Sequence, residues 1–214
     1  MERNANNGAP ALIGDPRKEI CVIRLGEREV PAAAENHCTL AVPVEDWNRE
    51  LSPWEAPPVF GREPFGDGAE ETLSRLLSDV LPAFSEAYPL ENRRFLLAGY
   101  SLAGLFALWA AYQTDAFAGI AAVSPSVWFP GWTEYAETHP IRCPLVYLSL
   151  GDQEAKTRNA RLATVETAIR EQYERLKAAD VNCTLEFNPG NHFTDCGRRV
   201  DKGVAWLEEQ LIKG

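Results

Sequence analysis

Short apolar runs alternate with amphipathic stretches along most of this chain. Runs of strand length, bounded by Gly, Pro or polar residues, occur at residues 19–25, 37–44, 93–100, 117–125, 144–151 and 183–190. Stretches with apolar residues at helical spacing, or apolar on every side, occur at residues 69–88, 102–113, 161–180 and 197–212. The pattern therefore predicts an α/β protein.

The order of these elements predicts the architecture. Uniformly apolar strands that alternate with helices favour a doubly wound, mostly parallel sheet covered on both faces. A chain of 214 residues suits a single domain, residues 1–214, of which 1–18 are expected to be irregular. In such sheets ligands bind beyond the carboxyl ends of the strands, so the residues that follow each strand are the candidates for chemistry.

A serine follows the apolar run 93–100 with no linker before the next helix. The stretch Gly99-Tyr-Ser-Leu-Ala103 fits a tight strand-to-helix turn that exposes Ser101, with small residues on both sides. The helix N-terminus behind the serine makes the Leu102 amide a candidate donor to an oxyanion. A close-packing turn or a phosphate site would use similar residues, but the chain has neither a G-x-G-x-x-G near its first strand nor a P-loop.

An acid and a histidine follow two later strands. Asp152 and Glu154 come after the run 144–151, and His192 follows the run 183–190. The order serine, acid, histidine is the order that a catalytic triad takes on this kind of sheet. We predict Ser101 as nucleophile, His192 as base and Glu154 as the orienting acid. Asp152 is the alternative acid, or else it caps the turn.

Composition narrows the possible partners. The formal net charge is −10, which argues against binding to nucleic acid or to anionic membranes. The five cysteines match no zinc or CxxC spacing, and their odd number favours reduced thiols and a cytoplasmic location. The first residues contain no apolar signal segment, and no run is long enough to cross a bilayer.

The motifs resemble those of a known group. "AGYSLAGLFALWA", "VSPSVWF", "SLGDQEAKTRN" and "NPGNHF" are similar to the esterase D-like and siderophore-esterase group of α/β-hydrolases, from about residue 37 onward. The resemblance implies an α/β-hydrolase fold, with Ser101 as nucleophile and His192 as base. It also implies that an acid is dispensable in some members, which work with a Ser–His dyad.

The resemblance places a second oxyanion amide after an early strand. The candidates at that place are Gly26 and Glu27, in "RLGEREV". Alternative donors lie near Asp46 and Trp47, so the second donor stays open.

The predicted reaction is hydrolysis of a carboxylic ester through an acyl-enzyme. It needs no cofactor and no metal, and the partner is a small acyl, aryl or siderophore-like ester. The insertions between the predicted strands are too short for a large cap domain, so we expect an open cleft. About half of the aromatic residues expected to line it belong, on the alternative interpretation, to the ordinary core. These aromatic residues are Tyr100, Trp128, Phe129, Trp132, Trp47 and Trp54. An acyltransferase would use the same acyl-enzyme, and a non-catalytic ligand-binding protein would not need all three triad residues. The sequence does not indicate an oligomeric state.

Overall fold

In the computed structural model, which describes residues 9–26 and 34–213, seven strands of the described chain form one sheet. The strands are β1 (Ala11–Ile13), β2 (Ile20–Leu25), β3 (His37–Val42), β4 (Arg94–Tyr100), β5 (Gly119–Val123), β6 (Leu145–Gly151) and β7 (Asn182–Asn188). Their order in the sheet is β1-β3-β2-β4-β5-β6-β7, and every pair is parallel except β1 with β3.

The helices are α1 (Trp47–Glu50), α2 (Ala69–Arg75), α3 (Leu81–Ala87), α4 (Leu102–Gln113), α5 (Trp132–Thr138), α6 (Val165–Ala178) and α7 (Cys196–Lys213). A π-helical turn, Leu76–Val80, joins α2 to α3, and a 3₁₀ turn, Leu162–Thr164, precedes α6. Pro82, which has no N–H to donate, lies just after this π-helical turn inside the continuous helical stretch 69–87, and π-helical turns are a common irregularity at such points.

Two apolar layers cover the sheet, one on each face. On one face α7 buries Val200, Val204 and Leu207 against the sheet. On the other face α4 and α6 pack against β4 to β7. The predicted doubly wound, mostly parallel α/β-hydrolase sheet is confirmed, and α4 is buried along its whole length except at Gln113.

The topology fixes where a ligand can enter. The chain runs from β2 to β3 on one side and then returns to place β4 on the other side of β2. This reversal leaves a crevice beyond the carboxyl ends of β2 and β4. Of the connections over that edge, the described residues carry only the short helices α1 and α5, so there is no large cap domain.

Three elements differ from the predictions. β1 lies within the segment 1–18 that was expected to be irregular, where it pairs with the edge strand β3. α1 and α5 lie in stretches without a predicted helix. All three are short, and the amphipathic repeat needs more residues than they contain.

Candidate active site

Ser101 sits at the apex of the turn between β4 and α4. Its backbone has φ 60° and ψ −119°, a conformation that a residue with a Cβ rarely adopts. Gly99 permits this turn, because a Cβ there would lie 2.3 Å from the carbonyl oxygen of Ala103. Gly104 lets α4 approach the sheet, since its own Cβ would be 3.0 Å from the carbonyl oxygen of Val123. Ala103, which replaces the last glycine of the G-x-S-x-G pattern, is fully buried, so the fold accommodates its methyl.

The loop between β7 and α7 brings His192 to the serine. The His192 Nε2 lies 3.0 Å from the Ser101 Oγ, and the Nδ1 lies 2.7 Å from the Glu154 Oε2. The Tyr100 hydroxyl donates to the His192 carbonyl at 2.7 Å, which anchors the loop to the end of β4. Serine, imidazole and carboxylate thus form one continuous hydrogen-bonded chain.

The Glu154 carboxylate is buried and almost fully hydrogen bonded. Its side chain is 4% exposed. The Oε1 accepts from the Gly151 amide at 2.7 Å, from the Ser124 hydroxyl at 2.7 Å and from the Arg199 Nη1 at 3.2 Å. Burial by itself raises the pKa of Glu154, but the hydrogen bonds from His192, Ser124 and Gly151 outweigh burial and leave the pKa below its ordinary value. The carboxylate is therefore held charged.

Asp152 lies in the same turn but faces a different group. Its Oδ1 accepts from the Gly190 amide at 2.9 Å, and its own amide donates to the Asn188 carbonyl at 2.8 Å. The hydrogen bond from Gly190 lowers the pKa of this exposed carboxyl. Asp152 thus ties two loops together, in the capping arrangement that was its alternative role.

The predicted oxyanion donors do not all fit. The first amides of a helix have no acceptor within the helix, and Leu102 is the first residue of α4. The Gly26 amide, in contrast, already donates to the Val42 carbonyl at 3.0 Å, which speaks against it as a donor. Glu27 lies outside the described residues. The Asp46 amide is engaged too, by the Glu50 carboxylate at 2.8 Å.

The aromatic residues proposed as cleft walls divide into two sets. Trp132 and Phe129 are 1% and 2% exposed, so they belong to the core, and Trp128 is also buried. Trp54 is half-buried and donates to the Pro130 carbonyl at 2.8 Å.

Two proposed wall residues stay accessible near the strand ends. Tyr100 is half-buried, with its ring centroid 5.2 Å from that of His192. Trp47 is 36% exposed, and its ring packs over Gly26 at the end of β2.

A comparison with protein-family models shows which family this chain belongs to. The model of the Esterase family, described as "Putative esterase", matches residues 28–195, which is more than half of the chain. The chain belongs to this esterase family. It is accordingly a carboxylic ester hydrolase, and the resemblance seen in the sequence is confirmed at the level of the family. A search of functionally curated proteins gave no match for this esterase.

Solved structures share the fold of the esterase. Siderophore hydrolase EstA from Aspergillus nidulans is 20% identical with a TM-score of 0.68, and the match covers 91% of this chain and 84% of that one. An IroE-like serine hydrolase from Shewanella oneidensis is 13% identical with a TM-score of 0.73, covering 91% and 72%. The enterobactin esterase FES from Shigella flexneri is 17% identical with a TM-score of 0.69, covering 97% and 61%.

Sequence reasoning missed two groups around the acid. Ser124 follows β5 with φ 44°, and Arg199 is buried at the start of α7. Arg199 stands four and eight residues before Gly203 and Leu207, which are buried on the face of α7 that packs on the sheet. A charged residue at a position of this apolar stripe was the feature of the sequence that could have indicated a buried polar contact.

Two further features of the described residues of the esterase concern metal ions and membranes. Across residues 9–26 and 34–213, no three His, Cys, Asp or Glu side chains are grouped so that they could hold a metal ion. Within the same residues, each helix is too short or too polar to span a membrane.

Proposed function

We propose that this esterase cleaves its substrate through an acyl-enzyme formed on Ser101. The observation that carries the proposal is the chain of two hydrogen bonds, 3.0 Å from Ser101 Oγ to His192 Nε2 and 2.7 Å from His192 Nδ1 to Glu154 Oε2. Nucleophile, base and orienting acid within hydrogen-bond reach are what serine ester hydrolysis requires.

In the first half-reaction, His192 takes the Ser101 proton as the oxygen attacks the ester carbonyl. The Leu102 amide at the start of α4 donates to the developing oxyanion. His192 then gives its proton to the leaving alcohol, and Ser101 is left acylated. Glu154 keeps the Nδ1 protonated and stabilises the imidazolium that forms in between.

In the second half-reaction, water takes the place of the alcohol. His192 removes a proton from the water, which attacks the acyl carbonyl, and the Ser101 oxygen leaves with the proton from His192. The products are a carboxylic acid and the free enzyme.

We propose a small acyl or aryl ester without net negative charge as the substrate. The siderophore hydrolases and the enterobactin esterase among the structural neighbours make a siderophore-like ester the competing choice. The net charge of −10 disfavours a strongly anionic ferric complex. The half-buried Tyr100 and the exposed Trp47 are the proposed contacts for the substrate.

The reaction is assigned to the cytoplasm on the odd number of cysteines in the sequence. Thiol titration of the denatured protein, isolated without reductant, should find five reactive thiols. A lower number would contradict this location.

One experiment tests the mechanism and the substrate class together. The wild type and Ser101→Ala are treated with a fluorophosphonate probe, and both are assayed on p-nitrophenyl esters of rising chain length and on enterobactin. We expect labelling and turnover of short esters by the wild type alone. Equal labelling of Ser101→Ala would refute the mechanism, and preferential turnover of enterobactin would refute the substrate class.

A further inference from the structure

Arg199, near the start of α7, touches three segments of the site at once. Its Nη1 lies 3.2 Å from the Glu154 Oε1 and 3.3 Å from the Tyr100 hydroxyl. Its Nη2 donates to the carbonyls of Pro189 and Asn191, at 2.9 and 3.2 Å. These carbonyls belong to the loop that carries the imidazole. One side chain therefore joins the acid, the end of β4 and the histidine loop.

A guanidinium suits this place for a geometric reason. Its donors are fixed in one plane, so its two ends hold their partners at a set separation, whereas the ammonium of lysine is a single point on a flexible stem. One end of Arg199 holds Glu154, and the other end holds the backbone that immediately precedes His192. We propose that Arg199 is a positioning residue that sets the Glu154–His192 geometry in the triad of the proposed function, on which this inference rests.

Arg199 also brings a buried positive charge close to the imidazole. Its side chain is 3% exposed, so water screens the charge poorly. The ionisable groups that face His192 and its loop are Glu154 and Asp152 from the turn after β6, Tyr100 from β4, and Cys196 and Arg199 from α7. Arg199 is the cation of this set. Its positive charge lies on the Glu154 oxygen opposite the one that faces the imidazole.

Arg93 offers a matched control at the other end of β4. Its guanidinium also holds backbone carbonyls, those of Pro16, Lys18 and Tyr88, at 2.8 to 3.1 Å. It precedes the first residue of β4, whereas Ser101 follows the last, and a strand of seven residues extends about 23 Å. Arg93→Lys thus disturbs the same kind of contact without reaching the site.

The test compares Arg199→Lys, Arg199→Met and Arg93→Lys with the wild type. Turnover of a short p-nitrophenyl ester is measured from pH 5 to 9, well below the melting temperature of each variant. Arg199→Lys keeps the positive charge but loses the planar guanidinium that holds two partners at a set separation. We therefore expect kcat to fall about 10- to 100-fold, with KM changed less than about threefold. Arg199→Met also loses the charge, so its kcat should fall at least as far as that of Arg199→Lys.

A purely structural role would give a different result. In that case Arg199→Lys would melt earlier, as Arg93→Lys should, but would keep its kcat within about threefold of wild type, and this outcome overturns the proposal. If Arg199→Met does not fold, Arg199→Lys decides alone. Fluorophosphonate labelling of wild-type Ser101 is scored separately. Its absence would refute the proposed function, whereas labelling with an unaffected Arg199→Lys would refute only the inference about Arg199.

Discussion

Replacement of Glu154 by Gln removes one charge and preserves the shape of the side chain. The Oε1 position accepts three hydrogen bonds, two of which come from the Gly151 amide and from Arg199, groups that can only donate. The Gln oxygen must therefore occupy that position, and its NH₂ group must face the His192 Nδ1. The Nδ1 then has to accept, and the proton of the neutral imidazole moves to Nε2, which faces Ser101. The histidine is left in the tautomer that cannot take the serine proton.

The loss of charge acts in the same direction. An imidazolium 2.7 Å from the Glu154 carboxylate gains about 6 kcal/mol at an effective dielectric constant of about 20. Arg199, on the other carboxylate oxygen, offsets part of this attraction. Loss of the charge and of the tautomer together should lower kcat/KM by about 10⁴-fold, equivalent to about 5 kcal/mol.

The assay is p-nitrophenyl ester hydrolysis at pH 8, with circular dichroism to verify that the variant is folded. Asp152→Asn is the control, because an Asn oxygen can still accept from the Gly190 amide, and we expect its activity to stay within about twofold of wild type. Retention of more than about a tenth of wild-type activity by folded Glu154→Gln would refute the reasoning. It would mean that Ser101 and His192 work as a dyad.

Three further predictions concern stability. Ser101→Gly removes the Cβ from a strained backbone, so the variant should be inactive yet about 1 kcal/mol more stable than Ser101→Ala. This difference corresponds to a melting temperature about 2–4 °C higher than that of Ser101→Ala. An equal or lower melting temperature would contradict the strain at Ser101. Gly99→Ala places a methyl 2.3 Å from the Ala103 carbonyl oxygen, so it should lower the free energy of unfolding in urea by more than about 2 kcal/mol and abolish labelling by the probe. Its control, Ala103→Gly, should lower the free energy of unfolding by about 1 kcal/mol and keep the labelling. The lowered pKa of Glu154 stabilises the native state at pH values above the usual value of 4.5, and this stabilisation is lost as the pH falls through the lowered pKa of the native state. The stability advantage of wild type over Glu154→Gln should therefore be full at pH 7 and shrink below about pH 4.5. A difference that stays constant with pH would contradict the lowered pKa.

Local pattern was sufficient for the central part of the fold. The apolar run that ends at Tyr100 and the buried helix that begins at Leu102 leave one residue for the turn, so β4, Ser101 and α4 follow from the sequence with an error of one residue at the start of β4. The need for glycine at position 99 can be read from the sequence for the same reason, because the Ala103 carbonyl oxygen that excludes a Cβ there lies only four residues away.

Long-range contacts were beyond the reach of local pattern. Arg199 meets Glu154 across 45 residues and Ser124 meets Glu154 across 30, and neither pair shares an element. Gly26 was proposed as a donor because the family resemblance places an oxyanion amide after an early strand, but its amide donates to the carbonyl of Val42 in the neighbouring strand β3. Whether an aromatic side chain such as Trp132 lines a cleft or fills the core likewise depends on which helices pack over it.

The ion pair between Arg199 and Glu154 links the fold to the chemistry. Both side chains are at most 4% exposed, and a pair buried this deeply adds little net stability, because desolvation of the two charges offsets their attraction. Stability alone would be served as well by apolar side chains in the same layer, where Val200 and Val204 already pack against the sheet. What the pair adds is orientation: three donors fix the Glu154 Oε1 and leave the Oε2 free for the imidazole. Docking of α7 on the sheet therefore both completes the core and sets the acid in place for the histidine.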